Sequence, residues 1–224
     1  MATAPRPQGG SSSQAATKPA VPSALEGRVV NDEPISVEEY LERERAAVGE
    51  KHEYIDGWLI AMTGASLPHN LIVSNINALL HTALRSTECR VTTNDLRVAL
   101  PSVNKYAYPD IVVYCGEPEL DEEKPDMLYN PTLLVETLSP TTEGYDRGEK
   151  FARYRQLDSL QEYLLVAQDT PHVEHYVRQD DGSWRLTDTD GLDATITLPS
   201  VEAELPLSEI YLDVFEGEES SETE

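Results

Sequence analysis

At 224 residues and 24.9 kDa, with 39% hydrophobic and 26% charged residues, the chain is long enough for one domain with a buried core and too apolar for general disorder. Seventeen Lys and Arg against 41 Asp and Glu leave a formal charge of −24, which excludes a broad, salt-sensitive surface for coating nucleic acid but not a small site where metal ions meet phosphate. No apolar run reaches the roughly 18 residues of a spanning helix, no signal-type h-region opens the chain, and two cysteines are too few for a disulfide framework. The expectation is a soluble cytoplasmic protein without membrane contact, with Cys89 and Cys115 buried as small hydrophobes.

In chain order, residues 1–27 are low in large apolar side chains and read as a disordered leader, 28–215 as a single domain, and 216–224 as an acidic, disordered tail. Ser36-Val37-Glu38-Glu39 is a capping box that opens a helix to about residue 48. Glu53 to Met62 reads as strand, Asp56-Gly57 turn and returning strand. Leu71, Ile72, Ile76, Leu79, Leu80 and Leu84 have helical spacing and predict a helix over 68–84 with one buried face. Strands are predicted over 90–98, 107–114, 132–138 and 162–167, the last two separated by a helix over about 146–157. Shorter strands follow over 172–178, 183–187 and 195–198, with an end piece near 207–215. Helix, three strands, helix and strand make an α/β (α+β) domain in which the third-to-fourth strand connection is a crossover.

Two carboxylates stand where apolar strands would otherwise run. Pro109-Asp110-Ile111-Val112-Val113 puts one at a strand mouth, and Leu133-Leu134-Val135-Glu136-Thr137-Leu138 puts another inside a strand. A charge in such a run is costly unless it is paired or bound to metal. If the strands are neighbours, Asp110 and Glu136 converge on one divalent cation, and hard oxygen ligands suit Mg²⁺ or Mn²⁺. Glu53 is a candidate third acid. Lys150, on the helix after the Glu136 strand, is a candidate to orient an attacking water or meet developing charge, with a plain surface ion pair to Asp146 four residues earlier as the alternative. His69 reads as a capping or solvent-facing residue that could instead face the site, and Tyr154 as core packing.

Tyr108-Pro109-Asp110-Ile111-Val112-Val113, Pro131 through Thr142, Tyr145-Asp146-Arg147-Gly148-Glu149-Lys150 with Tyr154, and Glu162-Tyr163-Leu164-Leu165-Val166 together look like the Uma-two family of restriction endonucleases. Tyr54-Ile55-Asp56-Gly57 and His69 match as well, and the resemblance spans about 35–215. It implies the PD-(D/E)xK nuclease-like fold, a mixed sheet flanked by helices, here extended by C-terminal antiparallel strands. Asp110 would be the motif aspartate and Glu136 the second acid. Where that pattern has its lysine, two residues after Glu136, this chain has Leu138, a departure shared within the family, and Lys150 is the candidate replacement.

These readings converge on a Mg²⁺- or Mn²⁺-dependent endonuclease that hydrolyses DNA phosphodiesters, with Asp110 and Glu136 on the metal and Glu53 and Lys150 assisting. A homodimer would set two such sites against the two strands of a duplex. The rivals are a non-catalytic binding or assembly module that keeps the fold, which the acidity of the folded body favours, and a metal-free carboxylate-pair hydrolase acting on sugars.

Overall fold

The structure is a computed structural model that describes residues 21–93 and 95–215. The acidic tail lies outside the described residues, as does most of the expected leader. Residues 21–27, assigned to that leader, are described: they lead into a 3-10 turn, Ser23–Arg28, because Val21 and Leu25 find an apolar pocket formed with Ile55, Trp58, Ile60 and Tyr145.

Helix α1 (Val37–Ala46) starts where the capping box puts it, with Ser36 Oγ accepting the Glu39 N–H at 3.1 Å, and ends two residues short of 48 as Ala47 turns extended. Strands β1 (His52–Ile55) and β2 (Trp58–Ala61) form the expected hairpin. Asp56 and Gly57 both have positive φ, +50° and +96°, as a two-residue turn matched to strand twist requires. Helix α2 (Leu67–Ala83) is capped by Ser66, whose Oγ accepts the His69 N–H, and carries Pro68 in its first turn.

The next two predicted strands are each divided between sheets. The span 90–98 becomes β3 (Cys89–Thr93) and β4 (Arg97–Leu100), and 107–114 becomes β5 (Lys105–Ala107) and β6 (Ile111–Cys115). The second break falls at Tyr108-Pro109-Asp110, where proline has no N–H to give a ladder. After β7 (Met127–Leu128) and β8 (Leu133–Thr137), helix α3 (Glu143–Tyr145) runs through a π-helical turn (Asp146–Lys150) into α4 (Phe151–Tyr154). Then come β9 (Glu162–Val166), β10 (His172–Arg178), β11 (Trp184–Asp190), β12 (Thr195–Leu198), β13 (Ala203–Pro206) and α5 (Leu207–Ile210).

The larger sheet has the order β11-β10-β9-β8-β6-β3, antiparallel except for β8 beside β9, the pair joined by the α3–α4 crossover. The smaller sheet is β2-β1-β5-β4-β7, and β12–β13 is a separate hairpin. On one face of the larger sheet α2 lays Ile72, Val73, Ile76 and Leu80 over Ile111, Val113, Leu133, Val135 and Leu164, and the β12–β13 hairpin closes this core with Leu198 and Leu205. On the other face Val112, Leu134 and Leu165 meet Phe151, Tyr154 and Tyr163. Each fully buried aliphatic side chain contributes about 1.5–3 kcal/mol by removal from water, so this two-faced burial fixes the register that holds the site.

The cysteines correct the sequence reading. Cys89 and Cys115 are directly opposite in the β3–β6 ladder and form a disulfide, so they are not free apolar side chains. Composition could not reveal this, because pairing depends on strand register. Among the described residues no helix is long and apolar enough to cross a membrane.

Candidate active site

Because the chain passes from the smaller sheet to the larger one at Tyr108-Pro109-Asp110, Asp110 lies at the seam between them. Register pairs Ile111 with Val135, so Asp110, one residue earlier, falls beside Glu136, one residue later on β8. Both line a cleft of about 780 Å³. Asp110 Oδ2 accepts the backbone N–H of Thr137 at 2.7 Å, and His69 Nε2 lies 3.2 Å from Asp110 Oδ1. Helix α2, which carries His69 in its first turn, packs on the same sheet, which is how a histidine expected to cap or face solvent reaches the carboxylate.

Glu136 is 5% exposed. Its Oε1 accepts from Tyr154 Oη at 3.0 Å and from Lys150 Nζ at 2.8 Å, while Lys150 also meets Asp146 Oδ1 at 3.2 Å. Burial pushes the Glu136 carboxyl up to about 8; Lys150 opposes that shift, and Asp110 and Asp146 add to it. Burial disfavours the charge on Lys150, but Asp146 and Glu136 outweigh it and hold the lysine well above its ordinary value. Burial, with Glu136 beside it, keeps the Tyr154 hydroxyl protonated and therefore a donor. The Asp146–Lys150 pair is thus a buried element of the site. The π-helical turn spans both residues, and such wider turns recur at functional sites.

Glu53 lines the same cleft from β1 but makes its close contact elsewhere: its Oε2 is 3.6 Å from Lys105 Nζ. Burial works against its ionisation, yet Lys105 and Lys150 hold the Glu53 carboxyl below the ordinary range. Lys105 is fully buried; its ammonium donates to Tyr145 Oη at 2.8 Å and sits over the Tyr145 and Tyr154 rings at 5.1 and 5.3 Å. Sequence reasoning missed Lys105 and the hydrogen bond of the Thr137 amide to Asp110. A signal existed for the first: Lys105 is one of five lysines and sits in the alternating run Lys-Tyr-Ala-Tyr ahead of Pro109.

Among the described residues no group of three or more His, Cys, Asp and Glu side chains is arranged to hold a metal ion. The donor set nevertheless suits a hard cation that keeps much of its water. Mg²⁺ is commonly held by one or two carboxylates plus substrate phosphates, and Asp110 and Glu136 supply two at a cleft wall. Asp110, Glu136, Glu53 and Asp146 lie together there, and three of them pair with Lys105 or Lys150, so the cluster of four carboxylates and two ammonium groups carries negative charge that a divalent cation would offset.

A mixed sheet with an acid pair at the seam and a buried lysine from the crossover helix defines a domain of restriction-endonuclease-like fold. The family described as "Putative restriction endonuclease", Uma2, matches residues 37–208, and the chain belongs to it. Two proteins of Synechocystis sp. named "Uncharacterized protein sll1609" and "Uncharacterized protein slr1290" are each 36% identical to it. They align over 162 and 180 residues, covering 72% and 79% of this chain and 91% of each relative. The crystal structure of "a putative nuclease belonging to DUF820" from Anabaena variabilis superposes with a TM-score of 0.66 at 20% identity, covering 80% of this chain and 98% of that one, a likeness of fold.

Proposed function

We propose that the chain is a divalent-metal-dependent endonuclease acting on DNA phosphodiesters, with Asp110 and Glu136 as the metal-holding pair. The observation that carries this reading is the meeting of Asp110, Glu136 and Lys150 at one wall of an open cleft, from a strand mouth, a strand interior and a crossover helix. A bound Mg²⁺ or Mn²⁺ supplies a water of lowered pKa and a Lewis acid for the phosphoryl oxygens.

The chain's own groups do the positioning. The Thr137 amide fixes one oxygen of Asp110, and the His69 ring steadies the other, its Nε2 carrying the proton because a carboxylate only accepts. Tyr154 and Lys150 hold Glu136 by the same oxygen, Oε1. In this reading the Lys150 ammonium, held by Glu136 and Asp146, takes the part of the lysine absent at Leu138, so it can orient a water and meet negative charge forming on phosphate. Glu53, tied to Lys105, acts as a buried counter-charge at the cleft floor. A homodimer remains part of this reading only for cleavage of both strands of a duplex.

Purified protein incubated with Mg²⁺ and plasmid or single-stranded DNA is expected to cleave, and Asp110→Ala or Glu136→Ala to lower the rate by at least about a hundredfold. A wild-type chain free of contaminating nuclease that cleaves no nucleic acid under any divalent metal contradicts it. The rival is a binding module without catalysis; an Mn²⁺ titration separates them, since that module shows no affinity that depends on Asp110.

A further inference from the structure

Three Lys or Arg residues line the cleft: Arg28, Lys51 and Lys150. Lys150 is committed to Glu136 and Asp146, and Lys51 is paired with Asp95. Arg28 differs. Among the described residues its guanidinium forms no ion pair, and its one side-chain hydrogen bond goes to a neutral group, from Nη2 to Thr141 Oγ1 at 3.2 Å. In a chain with a formal charge of −24, a half-buried arginine at a cleft wall without a carboxylate partner is out of keeping with its surroundings.

The backbone around Arg28 is fastened, so its placement is not accidental. Leu25 is 3% exposed against Ile55, Trp58, Ile60 and Tyr145. Val29 bridges to Ile60, the Val30 N–H donates to Leu59 O at 3.0 Å, and Asn31 Oδ1 accepts the Leu59 N–H at 2.9 Å, so the segment runs along β2, the outer strand of the smaller sheet. On the far side, Thr141 belongs to the loop that leaves β8 just beyond Glu136. Its hydroxyl and that of Thr142 gather on Ser139 Oγ at 3.2 and 2.8 Å, and all three residues line the cleft. Residues 28–31 precede the family match, which begins at residue 37.

We propose that Arg28 contacts a backbone phosphate of the substrate strand, steered by Thr141, and so supplies a local grip that the acidic surface as a whole cannot. This rests on the nuclease reading above. A planar guanidinium with five N–H groups, one of them spent on Thr141, retains the fork that suits phosphate oxygens. The contact is made in ground and transition states alike, so its loss acts on substrate affinity and leaves the chemical step intact.

The test is steady-state cleavage of a labelled DNA oligonucleotide by the full chain with Mg²⁺ over a series of salt concentrations, for wild type, Arg28→Ala and Arg28→Lys. For Arg28→Ala, KM is expected to rise about three- to tenfold, the slope of log KM against log salt to fall by about one, and kcat to stay within about twofold. Arg28→Lys keeps the charge, so its salt slope is expected to match wild type with KM between the other two. Cleavage with KM and salt slope unchanged in Arg28→Ala overturns this inference alone, as does a loss confined to kcat. Failure of the wild-type chain to cleave at all overturns the nuclease reading and the inference with it.

Discussion

Glu136 is costly to bury, and its neighbours show how the fold tolerates it. One oxygen takes a phenol and an ammonium, and the carboxyl stays hard to ionise because it is buried, with Asp110 and Asp146 close by adding to the effect. Asp110 differs, since its oxygens are steadied from outside the acid cluster, by a backbone amide and by the ring of His69. In the proposed site His69 would therefore position Asp110 without itself touching substrate. His69→Ala is expected to weaken Mn²⁺ binding roughly ten- to a hundredfold, the usual cost of losing a hydrogen-bond partner behind a metal ligand, and His69→Gln, which keeps a donor, to recover part of it. Calorimetric titration with Mn²⁺ checks this; equal affinity in wild type and His69→Ala contradicts it. The acid pair was legible in the sequence because each carboxylate interrupts an apolar run. The histidine was not, since its contact with Asp110 spans 41 residues and depends on where α2 docks.

Elements were read correctly where a local signal carries its own geometry. Asp56-Gly57 dictates the β1–β2 hairpin, Ser36 with Glu39 opens α1, and the helical spacing of Leu71, Ile72, Ile76 and Leu80 marks α2. They were misread where neighbouring strands belong to different sheets, because 90–98 and 107–114 look continuous by composition while the chain crosses between sheets inside each. The hairpin turn also bears directly on the site, because it sets the register of β1 and so the depth of Glu53 against Lys105. Gly57 has φ +96°, and a Cβ there would stand 2.7 Å from Pro34 Cβ. Gly57→Ala is expected to destabilise the protein by about 1–3 kcal/mol through backbone strain and that clash, read as a lower urea midpoint. An unchanged midpoint contradicts the turn geometry.

Across the whole molecule the acidity divides into a structural part and a surface part. Asp126 is structural: it joins Arg45 of α1, at 2.9 Å, to Arg97 of β4, tying the first helix to the smaller sheet. Partial burial raises its pKa, but hydrogen bonding to Arg45 and the charge of Arg97 prevail and hold it below the ordinary aspartate value of 3.8. A carboxylate depressed in the fold stabilises above its unfolded pKa, and that contribution disappears as pH falls through the folded value. Wild-type stability is therefore expected to drop below about pH 4 more steeply than that of Asp126→Asn, measured by thermal melting across a pH series; parallel curves contradict it. The surface acids form a field that disfavours any extended grip on nucleic acid, so the proposed function requires recognition confined to the cleft and the few cations that line it.

The most direct test of the metal-holding pair is a crystal of the protein grown with Mn²⁺ and measured at a wavelength where manganese scatters anomalously. An anomalous peak between the carboxylates of Asp110 and Glu136, lost in Asp110→Ala, is the expected result. Saturating Mn²⁺ with no peak there, or a peak only at acids away from the cleft, contradicts the account.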